Sequence, residues 1–427
     1  MMLITNIGQL VTNSSGDPGD LGLIDDAAIA IHDGAVAWVG ARAEVPASYR
    51  ELDQFDVEGR AVLPGFVDAH THLIFAGDRS HEFARRLRGE SYEQILADGG
   101  GIHATVAATR AMSTAELTVL AAARMERMLQ SGTTTVEVKS GYGLNPDDEE
   151  RLLHIAVDAG TRVGEVSSVP AAEGRKGGVG GWSVAWSFGS GVGVSVVPTF
   201  LGAHVVDRGI DHADYVDLVV DEMLPRVAGT AAFCDVFVDR GAFTVDEARR
   251  ILTAAAGMGM GLRLHAEQLT HTGAARLAAE LGAASADHLD HATAEDAAAL
   301  AAAGVVATLL PAASFSMRSP QAPGRMLWDA GVTVAIATDC NPGTSNVESM
   351  PLVIALACLE MRLTPEEAVW AATLGGARSL RLADRGQVAA GAVADLVVLD
   401  APTYLHIPYR PGTDLVWGVV KAGRVVR

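Results

Sequence analysis

The chain has 427 residues, 49% of them hydrophobic, enough to bury a large core as several small domains or as one barrel with an accessory unit. Lys and Arg number 32 against 52 Asp and Glu, a formal charge of -20, so the long-range field repels nucleic acid and anionic membrane surfaces. Neither is expected as a partner, and an anionic small-molecule substrate would need a local cation.

In chain order, the N-terminus Met1-Met2-Leu3-Ile4-Thr5-Asn6 has no basic region and no long apolar run, which predicts no signal peptide. No segment reaches the roughly 18 apolar residues that span a bilayer. Residues 28–32 and 35–39 read as strands around the Asp33-Gly34 turn, a hairpin signal. At the other end, residues 394–399 and 418–426 again look like β segments. The two β-rich ends predict one small β-sandwich domain composed of residues 1–60 and 385–427.

Between them, short apolar strands alternate with alanine-rich helices, the pattern of a parallel sheet built from β-α units. Strand candidates cover 61–67, 133–139, 194–199, 233–238, 261–265, 286–288, 305–310 and 332–338. Ser113-Thr114-Ala115-Glu116 and Thr244-Val245-Asp246-Glu247 are capping boxes, and Thr364-Pro365 places proline at a first helical position. Eight such units over 61–384 predict a (β/α)8 TIM barrel. One stretch breaks the pattern: 174–193, within an insertion over about 165–193, is dense in glycine and carries Trp182, Trp186 and Phe188 without a period. It reads as a long loop.

Cys234, Cys340 and Cys358 form no C-x-x-C pair and sit in apolar segments, which argues against a disulfide framework and fits a reducing cytosol. Packing is the expected role of Cys340.

The strongest chemical signal is Pro64-Gly65-Phe66-Val67-Asp68-Ala69-His70-Thr71-His72. Histidines at i and i+2 on an extended chain leave the same face and can converge on one metal. Neutral imidazoles suit zinc or ferrous iron. Further ligands belong at the C-terminal ends of other strands, and His265, His288 and Asp339 stand at such ends. Three histidines and an aspartate would hold one divalent metal with a position left for water, whose pKa falls to about 7 when so held. Either Asp339 or His288 could then carry the proton to the leaving nitrogen.

These residues carry a family resemblance. The chain resembles the amidohydrolase superfamily and, within it, the imidazolonepropionase family, from about residue 61 to the C-terminus. The segments concerned are His70-Thr71-His72-Leu73-Ile74-Phe75-Ala76-Gly77-Asp78-Arg79, Gly99-Gly100-Gly101-Ile102, Val136-Glu137-Val138-Lys139-Ser140-Gly141-Tyr142-Gly143-Leu144, Thr199-Phe200-Leu201-Gly202-Ala203-His204 and Thr338-Asp339-Cys340-Asn341-Pro342-Gly343-Thr344.

The resemblance implies one metal, zinc or iron, on His70, His72, His265 and Asp339. It implies substrate contacts from Arg79, Tyr142 and His204, with Arg79 the partner of a propionate carboxylate. Gln268 takes the position near the reacting carbonyl where many relatives have glutamate, and Asn341, Gly343 and Thr344 line the pocket around the opened product. His288 is placed as proton carrier or oxyanion partner. The implied reaction opens the ring amide of 4-imidazolone-5-propanoate to N-formimidoyl-L-glutamate, and a homodimer is implied as well.

Gln268 departs from that pattern, since an amide cannot act as a general base; the role would move to Asp339 or His288. Lys139 sits where two-metal relatives carry a modified lysine, but its Val-Glu-Val-Lys-Ser context predicts a supporting position and a single metal. His81, His103, His154, His271 and His291 lie outside the strand-end set and are expected on the surface or in helix packing. A deaminase of a nucleobase-like ring would share the metal ligands but has no carboxylate to offer Arg79. A scaffold that had lost its chemistry would lack ligands, and a phosphate-binding barrel would show a Gly-rich loop at its late strands.

Overall fold

The structure, a computed structural model, describes residues 1–90, 94–95, 98–163 and 193–427. The glycine-rich stretch expected as a long loop therefore lies outside the described residues, apart from Gly193.

The first strand, β1 (Met2–Leu10), pairs antiparallel with β2 (Ile24–His32), which turns at Asp33-Gly34 into β3 (Ala35–Ala41). Strands β4 (Gln54–Asp56) and β5 (Ala61–Pro64) both run parallel to β1. The C-terminal end meets this sheet at β5, where β14 (Leu396–Leu399) pairs antiparallel with Val397 opposite Leu63. Strands β15 (Val416–Lys421) and β16 (Arg424–Val425) extend it outward. Alternation, reset in β1 by a bulge between Ile4 and Ile7 where Asn6 takes φ 57°, puts Ile4, Ile7, Ile29, Val62, Leu396 and Val420 into one core cluster. Both ends of the chain thus build one sheet, as their β character implied.

The second sheet is the barrel. Its strands are β6 (Phe66–Asp68), β7 (Thr133–Lys139), β8 (Ser195–Ala203), β9 (Phe233–Val238), β10 (Gly261–Ala266), β11 (Ser285–His288), β12 (Val306–Leu309) and β13 (Val334–Ile336). Each is parallel to the next in chain order. The ring closes just past β6 and β13, where Thr71 bridges Cys340, Asp339 N–H donates to His70 O at 3.0 Å and His72 N–H donates to Cys340 O at 3.0 Å. The seam is the His-x-His segment itself.

One expected element divides. Residues 61–67 do not form a single barrel strand, because Gly65 N–H donates to Asp395 O while Phe66 N–H donates to Gly132 O. The chain changes sheets at Gly65. A β-carbon there would lie 2.3 Å from Thr134 Oγ1, so only glycine lets the chain approach β7 this closely.

Helices pack around the barrel with the expected caps. Ser113, Thr244 and Thr364 each close a capping box over the helices Thr114–Gln130, Val245–Gly257 and Pro365–Trp370. Their apolar faces, with the outward faces of the strands, form the main hydrophobic cluster, which includes Cys234 and Cys340. The inside of the barrel is different: Glu137, Lys139, Asp235, Arg263 and Asp287 are all fully buried there.

Candidate active site

The side chains expected as metal ligands converge above that charged layer. His70 Nε2 lies 3.2 Å from His72 Nε2, which lies 3.3 Å from His265 Nε2. Asp339 Oδ1 stands 3.7 Å from His70 Nε2 and 3.5 Å from His72 Nε2. His70, His72 and His265 have ligand atoms close enough to hold one ion. Asp339 sits at φ 50° and His288 at φ 73°, a left-handed region that costs a non-glycine residue energy and recurs at functional sites.

Carboxylates below orient the imidazoles. His70 Nδ1 donates to Asp287 Oδ2 at 2.7 Å, and His265 Nδ1 faces Asp235 at 3.1 Å. Asp287 is held by Arg263 at 3.1 Å and by the Ser285 hydroxyl at 2.6 Å. Lys139 Nζ bridges Asp235 at 2.7 Å and Glu137 at 2.8 Å. Burial opposes a charge on Asp235, yet His265 and Lys139 outweigh it and hold its carboxyl well below the usual range. Burial most strongly, then Lys139 and the neighbouring imidazoles, push His70 far below the ordinary histidine value, so its ring is neutral.

The donor set fits a divalent metal on this geometry alone. With Nδ1–H of His70 and His265 committed to carboxylates, their Nε2 atoms carry lone pairs, and both lie within 3.3 Å of His72 Nε2, so one cation can meet an imidazole nitrogen from each of the three rings. Asp339 Oδ1 is buried with no hydrogen-bond partner among the described residues. Burial raises its pKa well above the ordinary carboxylate value. A cation facing Oδ1 supplies the missing partner.

Around the cluster lies a cavity of about 490 Å³ lined by His72, His265, His288 and Asp339 and by Arg79, Tyr142, His204, Gln268, Asn341, Gly343 and Thr344. His70 lies fully buried beneath it. Every site residue expected from the sequence is therefore in or under one cavity. A neighbouring cavity of about 670 Å³ adjoins it across Arg79, Arg86, Gly343 and Thr344 but contains none of the histidines.

The wall residues are held in place by specific bonds. Glu149, from the helix Pro146–Arg162, accepts backbone N–H groups from Gly141, Gly143 and Leu144, which fixes the turn presenting Tyr142. Burial drives the Tyr142 phenol far upward, so it is a neutral donor. His204 Nδ1 donates to Gly141 O at 3.0 Å, and burial with the nearby His265 lowers its pKa to about 3. Asn341 Oδ1 accepts from the backbone of Gly343 and Thr344, and its amide donates to Thr344 Oγ1, making a tight turn beside Asp339. A β-carbon at position 343 would lie 2.6 Å from Arg79 Nη1, so glycine is what lets this turn meet the guanidinium.

Glu267, next to Gln268, is not an alternative base. Its oxygens accept N–H groups from Thr272, Gly273 and Ala275, and it is fully buried at the turn after β10. His271 pairs with Asp296 at 2.8 Å and His154 is exposed, both away from the cluster.

Sequence reasoning missed Asp235, Asp287, Arg263 and Glu137 as the supports of the site. Their signal is present in hindsight: Asp235 interrupts Phe233-Cys234 and Val236-Phe237-Val238, and Arg263 interrupts Leu262 and Leu264. A charge inside an apolar strand needs a buried partner. Lys139 does take the supporting position expected of it.

A barrel with such a cluster at the C-terminal ends of its strands defines a metal-dependent hydrolase class, and the chain belongs to the amidohydrolase family, whose model matches residues 77–427. Within it the similarity is to imidazolonepropionases. The chain is 48% identical to that of Salinispora arenicola, covering 99% of this chain and 98% of the relative. It is 47% identical to that of Streptomyces coelicolor (99% and 98%) and 46% identical to that of Mycolicibacterium smegmatis (100% and 97%). Among solved structures it resembles an adenosine deaminase from Xanthomonas campestris with bound zinc, at 19% identity and TM-score 0.72 over 99% of this chain and 92% of that one. It also resembles an atrazine chlorohydrolase from Arthrobacter aurescens complexed with zinc, at 18% identity and TM-score 0.68 over 100% and 95%. These two likenesses show the fold alone.

Proposed function

We propose that this chain hydrolyses the ring amide of 4-imidazolone-5-propanoate to N-formimidoyl-L-glutamate, the imidazolonepropionase reaction of histidine degradation. The observation that carries the reading is the full-length identity of 46–48% to imidazolonepropionases. The cavity supports it, since it offers a cation, neutral donors and a ligand cluster together.

His70, His72, His265 and Asp339 would hold one divalent metal, zinc or iron. When bound it supplies Lewis acidity and activates water at neutral pH. The other steps belong to side chains. Arg79 meets the propionate carboxylate, Tyr142 donates to the substrate, and His204, whose one N–H is held by Gly141 O, accepts from the ring N–H or packs against the ring, fixing the carbonyl near the cluster. Water oxygen bonds to the ring carbonyl carbon and the water proton passes to Asp339 or His288. His288 donates to the developing oxyanion or receives that proton; its Nδ1 has no partner among the described residues, and burial with the neighbouring His265 keeps the ring neutral. The ring C–N bond then breaks as the same proton is returned to the departing nitrogen. Gln268 can orient the carbonyl by donating but cannot accept the proton. Asn341, Gly343 and Thr344 bound the side where the opened chain lies.

The reading also includes a cytosolic homodimer with no nucleic-acid or membrane partner; among the described residues no helix is long and apolar enough to cross a membrane. Light scattering on the purified protein measures the subunit number. The division into a terminal unit (1–60 and 385–427) and a barrel unit (61–384) is proposed on the same footing; β5 (Ala61–Pro64) pairs with β1 and β14 of the terminal sheet, and the chain passes to the barrel at Gly65.

Loss of imidazolone ultraviolet absorbance on adding purified protein tests the activity, run beside His265→Ala and a chelator-treated sample. Rapid loss with intact metal-loaded protein alone supports the reading. Absence of turnover by folded, metal-loaded protein rejects it.

A further inference from the structure

The expected cation for the propionate, Arg79, is not a free charge. Its Nε and Nη2 both donate to Glu82 Oε2, at 3.0 and 2.8 Å, and only its Nη1 edge faces the Gly343 turn. Glu82 is buried, and its other oxygen accepts from Gly101 N–H at 3.1 Å, so the carboxylate is anchored and cannot swing away. The Arg79–Glu82 pair is electrically neutral as a unit. A second carboxylate arriving at Arg79 alone would meet a charge already answered at 2.8 Å, on a protein whose overall field repels anions.

Arg86 differs. It lies on the helix Ser80–Leu87, seven residues beyond Arg79 and four beyond Glu82, a spacing that keeps all three on one face. It lines the same cavity as the metal-ligating cluster. No carboxylate lies within ion-pair distance of it among the described residues; its guanidinium donates to Met317 Sδ, a weak acceptor. The cavity's third arginine, Arg240, is exposed, where solvent and salt screen its charge.

We propose that Arg86 is a specificity-determining residue: it supplies the uncompensated positive charge that recognises the substrate's carboxylate, while Arg79, locked by Glu82, sets that carboxylate's orientation. The inference rests on the reading that the substrate is an imidazolone carrying a propionate. It assigns the two arginines different tasks. Arg79 presents one directed edge to a ligand. Arg86 contributes net charge, and so it separates the acid from neutral analogues of the same ring.

The test uses imidazole-4-propionate and its primary amide, which keep a five-membered ring and the chain but cannot be ring-opened. Their binding to the metal-loaded protein is measured by calorimetry for wild type, Arg86→Gln and Arg86→Lys, with melting temperatures to confirm folding. The wild type is expected to prefer the acid by about tenfold or more, the loss of a desolvated charge partner being of at least that size. Arg86→Gln should bring the acid down to the amide's affinity with the amide within about twofold of wild type, and Arg86→Lys should recover part of the preference. Absence of acid preference in wild type, or a preference that survives Arg86→Gln, overturns the inference. If Arg86→Gln removes the preference while the wild type fails to open the imidazolone ring, the activity reading falls and the anion selectivity of Arg86 stands.

Discussion

Replacing Asp287 by Asn isolates what the buried carboxylates do for the ligands. Asp287 Oδ2 accepts from His70 Nδ1 at 2.7 Å and from Arg263 at 3.1 Å, while Oδ1 accepts from the Ser285 hydroxyl at 2.6 Å. Asparagine keeps the shape but removes the charge, and its NH2 can face His70 Nδ1 and favour the tautomer that turns a hydrogen toward the cluster. Losing such an orienting partner costs about 10- to 100-fold in metal affinity, or about 1.4–2.7 kcal/mol. The fold should lose less than a buried pair broken outright, which costs about 3–5 kcal/mol. Arg263 still donates to Ala69 O at 2.8 Å and Ser379 O at 2.9 Å, so its charge is not stripped of acceptors. The assay is chelator competition at fixed pH, with denaturant unfolding of the metal-free protein as control. A metal affinity within twofold of wild type would refute the argument that Asp287 aims His70.

Other outcomes follow from the same geometry. Lys139→Met leaves Asp235 and Glu137 without their shared cation at 2.7 and 2.8 Å and should destabilise the fold by about 3–5 kcal/mol, read from denaturant midpoints. Asp339→Asn or His288→Gln should lower kcat by about 10²–10⁴-fold, whereas Gln268→Ala should leave both limbs of the pH–rate profile in place, since an amide carries no proton in the cycle. Glu149→Ala frees the Gly141–Leu144 backbone donors and should raise KM more than it lowers kcat, because it loosens the turn that presents Tyr142. Burial pushes the Glu247 carboxyl up, but the Thr244 N–H and hydroxyl and His212 pull it below its ordinary value. A carboxyl lowered in the folded state stabilises above the unfolded pKa of about 4.3 and loses that contribution as pH falls through the lowered value. The protection factor of amides at the start of the helix Val245–Gly257, with the intrinsic pH dependence of exchange divided out, should therefore fall in that acid window, which mass spectrometry can follow.

The placement of the candidate site was the most legible part of the molecule, because its expected ligands stand at strand ends, where a polar residue after an apolar run has a geometric meaning. His70 and His72 needed only the period of an extended chain, and His265, His288 and Asp339 only the polarity of the barrel. Strands β7 and β9 kept their expected bounds for the same reason. Residues 61–67 did not, since Ala61-Val62-Leu63-Pro64 is equally apolar in either sheet and its partner, β14, comes from the far end of the chain. The charged layer was hidden because each member reads alone as an odd residue in a strand; Asp235, Arg263 and Asp287 make sense only once the parallel register sets them side by side. Glu82 was hidden likewise, so Arg79 looked like a free cation when it is a paired one.

The central claim, ring-opening hydrolysis at a single metal held by His70, His72, His265 and Asp339, is tested most directly by titrating metal-free protein with zinc or ferrous iron while following the ring-opening rate. The account predicts activity that is absent at the start, rises in proportion to added metal and saturates at one ion per chain. Activity that survives complete metal removal, or that requires two ions per chain, would contradict it.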